Sequence, residues 1–161
     1  MGALAHERDG HRVGVDAVAR DAAGRVGGVE AGEYGHGSAG GRMARMISIH
    51  EYDLRPASGA ERFEQAVRAA EARGLFELPG LTAHHFVRGV RGARSDAYAA
   101  VWVYESREAW ERLWGTLDRP HGREEYPEKW RIWEEELLAP ILSGDPDVIR
   151  FTAYEELSLS A

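Results

Sequence analysis

Ser48, His50 and Tyr52 alternate along "MISIHEYDLRP" (46–56), which sets a hydroxyl, an imidazole and a phenol on one strand face, opposite Ile47 and Ile49. An imidazole titrates near neutrality, and a phenol beside it can hold or relay a proton. Together His50 and Tyr52 suit removal of a proton from an acidic carbon or hydroxyl of a small molecule. If Ile47 and Ile49 pack under helices, His50 and Tyr52 point to a cavity or to a subunit face. The bland alternative is a pair of half-exposed strand residues bonding across a dimer seam.

Other side chains could complete a pocket. Trp102 and Tyr104 alternate on a later strand and are candidate walls, because sites for planar ligands are lined by aromatics. Trp110 and Trp114 stand four apart, a spacing that core packing would also produce. His84 and His85 are neighbours on a strand, so one can join a cavity and the other cannot. With His50 they hint at a metal, but no third ligand of suitable placement is evident, and no metal is expected. The charged stretch "GREEYPEKW" (122–130) reads as a solvated loop and helix start, or as a lid over the cavity.

The elements that position these residues begin with a strand over 46–54. The turn "RPAS" leads into a helix over about 58–73, capped by Ser58, striped by Phe63, Ala66, Val67 and Ala70, and ended by Gly74. "LTAHHFVRGV" (81–90) and "AYAAVWVYE" (97–105) form a hairpin across "RGARSD". Ser106 caps a second helix carrying Trp110, Leu113 and Trp114. A third helix carries Trp130, Trp133, Leu137 and Ile141 at helical spacing, and "DVIRFTAYEEL" (147–157) is a last strand. The order β-α-β-β-α-α-β is the split βαβ pattern of an α+β, ferredoxin-like domain with a four-stranded antiparallel sheet. One sheet face then needs a cover. With Val101 and Val103 toward the helices, Tyr98, Trp102 and Tyr104 would form that face, and a second copy of the chain would be the economical cover.

Composition narrows the function classes. The chain has 161 residues, enough for one domain with a substantial core. Residues 1–42 hold 11 of the 19 glycines and neither Trp nor Phe, and they show no sustained period. They read as a disordered tail or an early start, leaving 43–161 as the domain. A net charge of −7 without a basic run argues against nucleic acid. No apolar stretch approaches the roughly 18 residues of a membrane span, and the first 20 lack a signal-peptide core. There is no Cys, which removes disulfides and thiolate chemistry and fits a cytoplasmic protein.

The arrangement resembles the dimeric α+β barrel superfamily. "EYDLRPASGAERFEQAV" is similar to the strand-turn-helix opening of its antibiotic-biosynthesis-monooxygenase-like and NIPSNAP-like branches. "LPGL", "YAAVWVYES" and "SREAW" agree with the monooxygenase-like branch, and the resemblance covers about 46–157. It implies a homodimer with sheets face to face and a cavity in each subunit for a small hydrophobic or aromatic ligand. It also implies cofactor-free oxygenation of a phenolic or polyketide-like molecule, with His50 as base and Tyr52 as its partner. The alternative is a non-catalytic dimeric binding or interaction module using the same cavity. The heme-degrading branch uses an Asn, a Trp and a His, which fall on His50, near Leu113 (one step from Trp114) and on His121. That triad is not reproduced, which leaves heme binding only through an imidazole.

Overall fold

The computed structural model describes residues 44–56 and 59–158. Strands β1 (Met46–Tyr52), β2 (Leu81–Arg88), β3 (Tyr98–Tyr104) and β4 (Arg150–Glu155) form one sheet in the order β2-β3-β1-β4. Every neighbouring pair is antiparallel. Helices α1 (Gly59–Ala72), α2 (Arg107–Trp114) and α3 (Glu128–Ile132) lie on the chain between these strands. This is the ferredoxin-like α+β architecture expected from the element order. The tail over 1–42 and the Ser58 cap lie outside the described residues. Among the described residues no helix is long and apolar enough to cross a membrane.

Local chemistry accounts for the element ends. Ser106 Oγ accepts the Ala109 N–H at 3.1 Å and so caps α2. Gly74 takes a positive φ of 61° after α1, and the following Leu75 N–H returns to the Ala70 carbonyl at 3.0 Å. Gly115 ends α2 at φ 82°, where a Cβ would run into the Arg119 carbonyl. The last strand is shorter than expected, because Asp145 accepts the Asp147 N–H at 2.9 Å and folds Pro146–Val148 into a 3-10 turn.

The two sheet faces are the reverse of the expectation. Tyr98, Ala100, Trp102 and Tyr104 are buried beneath the helices, with Trp102 at 0% exposure. Tyr98 packs on Phe63 of α1, and Trp102 packs on Phe76 and Trp130. By alternation Ile47, Ile49, Val101 and Val103 take the open face, where they are half-buried beside exposed Val87 and Tyr154. Both faces of β3 are apolar, and on β1 the more polar face, with Ser48, His50 and Tyr52, is the one that turns under the helices, so alternation did not mark the solvent side. Volume decides the matter: the large rings fill the space under the helices, and the β-branched residues tile the flat side.

The third helix also departs from regular spacing. After Ile132 the chain widens into a π-helical segment, Trp133–Leu138, with the Ala139 N–H bonded to the Glu134 carbonyl at 2.8 Å. The wide turn buries Trp133, Glu134 and Leu138 and leaves Leu137 only half-buried, one position off the expected stripe. Such turns inside α-helices are frequent at functional sites.

Candidate functional site

The cavity opens between the sheet and the helices of the same chain. Its floor is Ser48 and His50 from β1 with Phe151 from β4, which the β1–β4 register sets opposite His50. Trp110 and Trp114 from α2 form one wall, and Trp130 with Glu134 forms the other. Thr116, Leu117 and Pro120 border it after α2, while Tyr126, Asp147 and Ile149 border it near β4. The enclosed space, counted with its open mouth, is about 700 Å³.

His50 is the polar centre of the floor. Its ring meets Phe151 at 5.4 Å, Trp130 at 5.8 Å and Trp102 at 6.0 Å. Nε2 lies 3.1 Å from Ser48 Oγ, and Nδ1 is sealed with no hydrogen-bond partner. The surface that His50 retains belongs to the cavity wall. Burial therefore disfavours the imidazolium and lowers the pKa to about 3, which leaves a neutral ring at physiological pH.

Glu134 is the residue that spacing alone overlooked. It is 5% exposed, lines the cavity, and has Oε2 sealed without a partner. Burial raises its pKa to about 7. The Asp147 and Glu135 carboxylates add to the rise, while the Trp130 indole and the Arg123 guanidinium oppose it. A signal for it existed in the sequence. Position 134 is four beyond Trp130, on the edge of the apolar stripe, but the run "EEE" reads as a solvated face. Asp147 beside it is paired with Arg123 at 2.9 Å. Burial, with Glu134 and Asp147 nearby, also lifts the Tyr126 phenol to about 12.

Four of the expected residues meet at this cavity: Ser48, His50, Trp110 and Trp114. The others lie elsewhere. Tyr52 is sealed in the core against Phe63, its hydroxyl unpartnered and its pKa raised mainly by burial. Trp102 lies beneath His50 as core. Tyr104 is buried behind the wall, where its hydroxyl accepts the Trp114 indole N–H at 3.3 Å and fixes that ring. His84 points under the helices but pairs with Glu71 at 2.6 Å and stacks on Trp102. His85 is exposed on the opposite, open face. Alternation separates that histidine pair as expected, and neither reaches the cavity.

Among the described residues no cluster of three or more His, Asp or Glu could hold a metal ion. A heme would need cations for its propionates and a free imidazole for its iron. Among the described residues no Lys or Arg lines the cavity, and His50 Nε2 is engaged by Ser48. The residues present do not fit that group.

No family model and no curated protein matches the chain. Among solved structures, it is similar to a protein named as an antibiotic biosynthesis monooxygenase from Caulobacter crescentus, at 13% identity. That alignment covers 73% of this chain and 93% of the other, with a TM-score of 0.49. It is also similar to SnoaB, a cofactor-independent oxygenase from Streptomyces nogalater (12% identity, 72% and 96% covered, TM-score 0.46). An uncharacterized NIPSNAP-like domain protein from Burkholderia xenovorans aligns at 19% identity (72% and 86% covered, TM-score 0.43). These likenesses concern the fold.

Proposed function

We propose that this chain is a cofactor-free, monooxygenase-like enzyme acting on a small aromatic or polyketide-like molecule held in the cavity. The observation that carries the reading is the Ser48–His50 pair on the floor of an aromatic-walled pocket. A planar ligand lies against Trp110, Trp114 and Trp130, with its most acidic C–H or O–H over the Ser48 hydroxyl, which passes its own proton to His50 Nε2 as it takes the ligand's. His50 is already neutral, the state a proton acceptor needs, and Ser48 fixes the ring. The resulting carbanion passes electrons to dioxygen. For an activated methylene the balance is R₂CH₂ + O₂ → R₂C=O + H₂O, and the protein's part is orientation, proton transfer and a dry site. Tyr52, sealed in the core, takes no part in this scheme.

One observation favours the second reading, a binding module without turnover. Burial that lowers the His50 pKa to about 3 makes the imidazole a weak base. The homodimer belongs to this proposal as well. The open sheet face bearing Ile47, Ile49, Val101 and Val103 is the surface for a second copy, in place of the aromatic face first expected.

The test is oxygen uptake with anthrone, followed by the appearance of anthraquinone. Wild type should consume one dioxygen per anthrone, and His50→Gln should slow turnover by about 100-fold or more while the circular dichroism spectrum is unchanged. Full activity in His50→Gln removes the imidazole from the mechanism. Ligand binding without oxygen uptake in wild type puts the binding module first.

A further inference from the structure

The charge and ring chemistry of the cavity wall define a ligand more narrowly than "aromatic". Rings from Trp110, Trp114, Tyr126, Trp130 and Phe151 line the space. Trp114 meets Tyr126 at 5.3 Å and Trp130 at 4.9 Å, both edge to face. Rings at such angles present their negative π faces in several directions around one volume, the arrangement that attracts organic cations. Two acids, Glu134 and Asp147, share the wall, and among the described residues no Lys or Arg lines it.

The nearby cation is already engaged. Arg123 approaches Asp147 at 2.9 Å, Glu135 at 3.5 Å and Asp145 at 3.7 Å. Among the described residues Glu134 has no ion-pair partner, and its Oε2 is buried without a hydrogen bond, the Trp130 indole being the hydrogen-bonding neighbour of the carboxyl. A buried carboxyl in that position is under-satisfied, and a donor group or positive charge delivered by a ligand would complete it.

We propose that the cavity binds a planar aromatic molecule carrying a protonated amine, with its rings among Trp114, Trp130 and Tyr126 and its ammonium against Glu134. This rests on the reading of the cavity as a small-molecule site and narrows the substrate class of that site. It does not depend on the oxygenation chemistry.

The proposal carries a pH signature. Burial and the Asp147 charge hold the Glu134 pKa near 7, and an ammonium beside it favours the ionised form. The groups around Glu134 are identifiable from each side. Asp145 and Asp147 come from the turn before β4, and Arg123 and Tyr126 come from the segment before α3. Glu135 follows in the chain, His50 and Tyr52 lie on β1, and Arg73 of α1 is paired with Glu136 at 3.1 Å. His50 stays neutral across the working range, so Glu134 dominates the change in charge.

Three near-isosteric probes test it by calorimetry on the full chain: 1-naphthylmethylammonium, 1-naphthalenemethanol and 1-naphthoate. The indole N–H NMR signals of Trp114 and Trp130 report where each probe sits. Near pH 8 the ammonium should bind about tenfold more tightly than the alcohol, and the carboxylate should bind worst. Near pH 5.5, with Glu134 protonated, the advantage of the ammonium should shrink several-fold. Glu134→Gln should abolish the advantage of the ammonium over the alcohol near pH 8. Equal binding of ammonium and alcohol near pH 8 overturns the proposal and leaves the small-molecule site standing. An undiminished ammonium preference in Glu134→Gln also overturns it. Binding by none of the three at millimolar concentration overturns both the proposal and the small-molecule reading.

Discussion

Glu134 and His50 are held away from their solution pKa values in opposite senses, and the two shifts give the protein a pH-dependent stability with an assignable origin. The His50 pKa is lowered to about 3. Between about pH 6.5 and 3 the unfolded chain therefore takes up a proton that the folded one refuses. Stability falls as pH falls through that window, by on the order of 5 kcal/mol in full. The Glu134 pKa is raised to about 7. Between about pH 4.5 and 7 the folded chain keeps a proton that the unfolded one has lost, so stability falls as pH rises, by about 3 kcal/mol. The two effects oppose each other where the windows overlap. Glu134→Gln should thus match wild type in urea melts near pH 4 and exceed it by about 3 kcal/mol above pH 7. A variant no more stable at pH 8 than at pH 4, relative to wild type, would show that the carboxyl is not strained. His50 was legible because a strand's period of two is unambiguous. Glu134 was not, since its regular spacing from Trp130 is masked by the acidic run 134–136, which reads as a solvated face.

Among the elements, α2 has the most direct hold on the cavity. It is eight residues long, its cap is the Ser106 hydroxyl, and two of its rings form one wall. A helix this short has little intrinsic stability, so its end chemistry weighs heavily. Ser106→Ala should cost about 1 kcal/mol. Because Ser106 is itself buried, the change leaves the Ala109 N–H without its acceptor. Loosening of Trp110 and Trp114 should appear as a red-shifted tryptophan emission. A helix that kept both its stability and its emission after this change would mean that the cap is redundant. This cap, the hairpin and the four strands could be read from spacing and turn residues. The facing of the sheet could not. Alternation sorts Trp102 from Val101 but says nothing about which of two apolar sides meets the helices, and only three-dimensional volume decides that.

Taken as a molecule, the domain has a packed helical side and a sheet side tiled by Ile47, Ile49, Val101 and Val103, with Val87 43% and Tyr154 50% exposed. A flat apolar surface of this kind is rarely left in water. With a second copy seated on it, an interface on the order of 1,600 Å² in total is expected. Val101→Glu should then shift the chain from dimer to monomer in sedimentation at micromolar concentration. Trp102→Glu should instead unfold it, since that ring is core. A wild-type chain that sediments as a monomer would remove the second copy from the proposal.

The placement of the cavity has a consequence for such a pair. Each cavity is floored by the inner side of β1 and β4, while the proposed seam uses the outer side of the same strands. Two sheets stacked face to face, with a spacing of about 10 Å, would therefore stand back to back between the two chambers. Each chamber would open away from the symmetry axis. Assembly would then act as a stiffening plate behind the floor that holds His50.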